Sequence, residues 1–165
     1  MERPTHGRGI LPDAMTAPSI FSATDLDAVL RRIGRLASAS QREWGKMDAA
    51  QALAHCQVPL RVALGEVKLK RGLIGILFGG MAKKSLLRDE PFKHGMPTDK
   101  AFRVRDPRVF ATERDRLVAL VTRLGRGGPG VLTTEPHPFF GALSPAEWDT
   151  LMWKHLDHHL RQFGV

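Results

Sequence analysis

The stretch SPAEWDTLMWKHLDHHLRQFG, residues 144–164, carries its own start, stop and buried face. Ser144-Pro145-Ala146-Glu147 reads as a capping box with proline at the first helical position, so the helix start is pinned at Ser144. Gly164 supplies the stop. At about 100° per residue, Trp148, Met152, Leu156, Leu160 and Phe163 share one arc. His159 falls inside that arc and His155 on its edge, one turn apart, whereas His158 borders Lys154, Asp157 and Arg161 on the face assigned to solvent.

Two imidazoles at i and i+4 project from adjacent turns to a common point and can ligate one metal ion. The same spacing also suits one hydrogen-bonded core histidine beside an exposed one. A metal site in a helical core needs a further ligand from a facing helix. The other histidine on a clear helix is His55.

Working outward, Ser22 or Thr24 can cap a first helix running to Ala39, with Leu26, Val29, Leu30, Ile33 and Leu36 at helical spacing. Asp48 with Gln51 is a second capping signal, and Ala50 to Lys70 reads as a long helix. Pro59 has no N–H for the His55 carbonyl, which predicts a kink or loosening there. Around His55 the apolar residues leave it on the flank of its helix. A short helix over about 73–87 precedes a proline-punctuated connection, and helical periodicity returns from Phe110 to Leu124, with Gly125 to Gly130 ending it. Residues 1–20 lack periodicity and read as a disordered leader, and 21–165 as a single domain. Four substantial helices without alternating β-branched runs predict an all-α fold; Val131 to Thr134 is where a strand could hide.

Composition narrows the function. A chain of 165 residues with 42% hydrophobic and 25% charged residues is an ordinary globular domain, and its one cysteine excludes a disulfide framework or a cysteine-based zinc knuckle. The glycine-rich uncharged run Gly72 to Ala82 falls short of the ~18 apolar residues of a membrane span. A cytoplasmic, reducing setting follows as the simplest expectation. The net charge of +8 is concentrated: residues 61–126 hold 16 Lys/Arg against 7 Asp/Glu. Such a region suits nucleic acid, anionic lipid or an anionic small molecule, or is simply a solvated basic surface. Gly125 to Gly130 matches G-x-G-x-x-G but follows a helix, so it fails as a dinucleotide site.

Several stretches together resemble the DinB-like superfamily over about residue 24 to the carboxyl terminus. They are Trp44-Gly45-Lys46-Met47 leading to Ala54-His55-Cys56, then His137-Pro138-Phe139-Phe140-Gly141 with Leu143-Ser144, then Glu147-Trp148 and Lys154 through Gly164. The resemblance implies a four-helix bundle with an irregular, partly helical insertion between the second and third bundle helices. It also implies a divalent metal held by His55, His155 and His159, and relatives that are thiol-dependent isomerases or transferases.

Three neutral imidazoles leave a coordination position open, as catalytic sites do, and imidazole-only ligation suits zinc or nickel, with iron also in range. An open position on such a metal fits a metal-dependent transferase or hydrolase acting on a small, anionic substrate; thiol-dependent transfer or isomerisation, with a low-molecular-weight thiol as a further cofactor, is what the resemblance implies. No catalytic acid or base is assigned. The competing class is a non-enzymatic protein that uses residues 61–126 to bind nucleic acid or anionic lipid. The absence of a DNA-reading helix disfavours nucleic acid; no membrane partner is expected, and a homodimer stays open.

Gln51 and Gln162 are candidates to hold the second ring nitrogens of the ligands. Cys56 points toward the core and reads as a buried, inert thiol. His94 and His137 lie in loops and are expected at the surface, although either could face the site. Lys93 could meet an anionic substrate.

Overall fold

A computed structural model of the chain describes residues 17–70, 72–95 and 102–165. The helices in order are α1 (Ala23–Arg35), α2 (Ala49–Ala63), α3 (Leu73–Leu86), α4 (Phe110–Gly127) and α5 (Pro145–Arg161), with a 3₁₀ turn at Gly128–Val131. The described residues contain no strand; Val131 to Thr134 hold none, and the one antiparallel bridge joins His137 to Gly141. The fold is all-α.

Helix α2 packs against α4 and α5, and α1 packs against the same two. Leu26, Val29 and Ile33 of α1 meet Leu117, Val121 and Leu124 of α4 in a single core with Trp148, Met152, Leu156 and Leu160 of α5. Twelve of the 15 residues of α2 are buried, so it is surrounded on nearly every side. Such a helix has no polar stripe to give its apolar pattern a direction.

The helix ends differ from the sequence expectation where local backbone chemistry intervenes. Helix α1 stops at Arg35, not Ala39, because Leu36 turns extended and the Ser40 hydroxyl accepts from the Ala37 N–H at 2.9 Å. Helix α2 stops at Ala63, not Lys70: Gly65 takes φ +72°, and the N–H groups of Glu66 and Val67 both return to the Arg61 carbonyl. Pro59 lies inside α2, which continues to Ala63 beyond it. Helix α4 runs past Leu124 to Gly127, and Gly128 ends it with φ +62°.

At the amino end, residues 1–16 lie outside the described residues. The ordered fold begins before residue 21, since Ile20 is fully buried and its N–H donates to Asp149 Oδ1 at 2.7 Å. No described helix is long and apolar enough to cross a membrane.

Candidate metal centre

The register of α5 is set at its first turn. Ser144 Oγ accepts from the Glu147 N–H at 3.3 Å, and Glu147 Oε2 accepts from the Ser144 N–H at 2.7 Å. Lys83 closes on the same carboxylate at 2.8 Å. Helix α2 starts with the same device, Asp48 and Gln51 exchanging bonds of 2.8 and 3.1 Å. Two helices so pinned at their starts bring His55 across from His155 and His159.

The three rings form a nearly equilateral triangle: their centroids are 4.9 Å apart for His55 and His155, and 4.7 Å for each of the other two pairs. One ligand nitrogen from each ring lies within 4.8 Å of the others. The Nε2 atoms of His55 and His155 are 3.1 Å apart. Two nitrogens held ~2.05 Å from one tetrahedral zinc would be about 3.3 Å apart, so this pair already has close to the spacing of metal ligands.

The outer nitrogens fix which lone pairs face inward. His55 Nδ1 lies 2.7 Å from the Phe102 carbonyl, which can only accept, so the proton sits on Nδ1 and the Nε2 lone pair faces His155 Nε2. His159 Nδ1 lies 2.9 Å from Gln162 Oε1. That amide cannot be turned the other way, because its Nε2 donates to the Trp44 carbonyl at 2.7 Å. His159 is therefore also protonated at Nδ1, with its Nε2 lone pair free. Lone pairs so oriented repel one another unless a proton or a cation lies between them.

Burial keeps all three rings neutral. It lowers the His55 pKa, against which the Phe102 carbonyl acts, and it pushes His159 down to about 3, assisted by the neighbouring His55. His155 is held well below the ordinary imidazole range, first by burial and then by His159 and His55. Neutral imidazole is the form that binds a metal. The described carboxylates contribute nothing to the cluster, so its charge would come from the ion alone.

Of the two expected outer partners, Gln162 holds a candidate ligand, His159, and Gln51 holds none. Gln51 instead closes the cap of α2 and donates to the carbonyls of Arg105 and Asp106 at 3.1 and 3.3 Å. The role expected of it falls to the Phe102 main chain. A backbone carbonyl leaves no mark in the residue types, so nothing in the sequence could have pointed to it.

Two other expectations, for His158 and His137, are corrected by loops that a helical wheel cannot see. His158 is half-buried, with Trp44 at 5.8 Å, Phe92 at 6.2 Å and His94 at 6.0 Å between ring centroids. His94 is exposed, as expected of a loop residue, yet it stacks on Trp44 at 3.8 Å. His137 is buried rather than at the surface, and its Nδ1 accepts from the N–H groups of Phe139 and Phe140 at 3.1 and 3.2 Å. Burial pushes it down to about 4. It braces the loop leading into α5. Cys56 is buried as expected, and burial pushes its thiol up. Lys93 is exposed.

Comparison with known proteins adds one finding. A family model described as "Protein of unknown function (DUF1569)" matches residues 86–164. The matched segment contains His137, His155, His159 and Gln162 but stops short of α2 and His55. The chain matches no curated protein and no solved structure. What the comparisons establish is thus a similarity of its carboxyl-terminal half to a family of unknown function.

Proposed function

We propose that His55, His155 and His159 hold one divalent transition-metal ion, zinc or nickel before iron, in a metal-dependent enzyme of DinB-like type. The observation that carries this reading is the pair of outer hydrogen bonds. Phe102 and Gln162 fix two rings in the tautomer that offers Nε2 to a common point, where the third ring arrives at 3.1 Å. A lone core histidine needs no such agreement among three rings. A bound ion would act as a Lewis acid or lower the pKa of a coordinated water or low-molecular-weight thiol. The reaction classes this supports are thiol-dependent transfer or isomerisation, and hydrolysis, of a small substrate.

The chain's own contribution is positional. Helices α2 and α5 hold the ligands, Gln162 and the Phe102 carbonyl orient them, and Trp44, Phe92, His94 and His158 form an aromatic wall beside His159, whose ring is 5.0 Å from that of His158. The rival use of residues 61–126 for polyanion binding is weakened by internal pairing. Arg61 and Arg123 are taken by Glu66, Lys68 by Glu135, Lys83 by Glu147 and Arg116 by Glu113.

The test is elemental mass spectrometry of the untagged protein, wild type against His155→Ala, with circular dichroism as the folding control. About one equivalent of transition metal in the wild type and its loss in a folded variant are expected. No metal in either, even after reconstitution, would overturn the proposal.

A further inference from the structure

Helix α3 shows most of its large apolar side chains to solvent and Gly75 and Gly79 to the protein. A Cβ placed on Gly75 would come within 2.7 Å of the Pro138 carbonyl oxygen and 3.0 Å of Phe139 Cα. Gly79 is buried too, as is Leu86, and Glu147 draws Lys83 toward the body. Outward stand Leu73, 78% exposed, Leu77, 72%, and Met81, 67%, with Ile76, Phe78 and, just past the helix, Leu87 each at least half exposed. At ~200 Å² for a large apolar side chain, these six present roughly 700 Å². That exceeds the ~300–600 Å² of the largest patch on a typical monomer.

We propose that this face is covered by the same face of a second copy of the chain, the two α3 helices lying antiparallel about a two-fold axis near Gly80. The area is of the right order: leaving out Phe78, which lies about 160° round the helix from Gly80, the other five side chains present at most roughly 1,300 Å² over both copies, within the ~1,200–2,000 Å² of standard stable interfaces. The centre fits, because Gly80 lies exposed with nothing within 4 Å of where its Cβ would be, so a second backbone can approach closely. The ends fit as well. A two-fold axis at Gly80 sets Leu73 of one copy opposite Leu87 of the other, and Lys70 opposite Glu90. Lys70 and Glu90 are both exposed, and Glu90 also acts on the Lys154 ammonium of its own chain. The antiparallel arrangement also opposes the helix dipoles.

Sedimentation equilibrium of the full chain over a micromolar to hundred-micromolar range tests this independently of the metal reading. The wild type is expected at twice its 18.3 kDa, and Leu77→Glu at 18.3 kDa with about 100-fold weaker association. Lys70→Glu and Glu90→Lys should each weaken the pair, and their combination should recover it. Circular dichroism and metal content should be unchanged in every variant. A wild type that stays monomeric throughout, a Leu77→Glu chain that still pairs, or a charge swap that fails to recover association would overturn the proposal. So would adsorption of monomeric wild type to phosphatidylglycerol vesicles that Leu77→Glu abolishes, since the face would then belong to lipid.

Discussion

Replacing Gln162 by leucine removes the group that orients His159 while leaving all three candidate ligands in place. Gln162 is 2% exposed, and its amide makes two partly buried bonds, 2.9 Å to His159 Nδ1 and 2.7 Å to the Trp44 carbonyl. Leucine fills nearly the same volume but pairs with neither group, and each buried polar partner left unpaired costs ~1–3 kcal/mol. Metal-free Gln162→Leu should therefore lose about 2–4 kcal/mol of stability. With its Nδ1–H unpaired, His159 must also settle its tautomer and ring orientation on binding, which lowers metal affinity by ~10–100-fold, or about 1.4–2.8 kcal/mol. The assay is a competition titration of zinc against a chromogenic chelator on metal-stripped protein, with urea denaturation alongside. Gln162→Glu separates the two effects. It keeps an acceptor for His159 but sets a carboxylate against the Trp44 carbonyl, so it should lose stability yet hold zinc better than the leucine variant. Zinc affinity within threefold of wild type in Gln162→Leu, at the expected cost in stability, would refute the orienting role.

Gly45→Ala should act in the same direction, because Gly45 has φ +81° and an added Cβ would overlap Gln162 Nε2. A loss of at least ~1 kcal/mol in urea denaturation and a smaller fall in zinc affinity are expected. His137 should make the protein acid-sensitive. Its folded pKa of about 4 lies below the ~6.5 of an unfolded chain, so the unfolded state binds the extra proton and stability falls as pH drops below 6.5, until the folded pKa is reached. This group alone accounts for about 2 kcal/mol between pH 7 and pH 5, and His137→Asn should lose that share of the slope; an unchanged slope would show the assignment to be mistaken. Cys56, buried and with its thiol pushed up, should react with a disulfide reagent only as fast as the protein opens. A rate that rises linearly with reagent from the start would contradict that.

The sequence by itself determined the elements whose signals are local. Ser144 with Glu147 and Asp48 with Gln51 set the starts of α5 and α2, because a capping box is a contact between residues three apart. The four-residue spacing of His155 and His159 fixed two rings one turn apart, and the position of Gln162 put an amide one turn from His159. Where a glycine had to take a positive φ, as at Gly65, periodicity overran the helix end, because hydrophobic spacing does not record a backbone reversal.

Only the tertiary structure decided which way His55 faces. Its helix is apolar nearly all round, and the direction comes from α5 packing on one side of it. The same holds for the Phe102 carbonyl, the burial of His137 and the covering of His158 by Trp44, Phe92 and His94. Each is a contact between segments far apart in the chain, supplied by loops without a repeating pattern. Helix α3 is the converse case. Its apolar run predicts a helix without saying which side faces the body, and the approach of Gly75 to the Pro138-Phe139 backbone leaves Leu73 and Leu77 outward while Leu86 is buried.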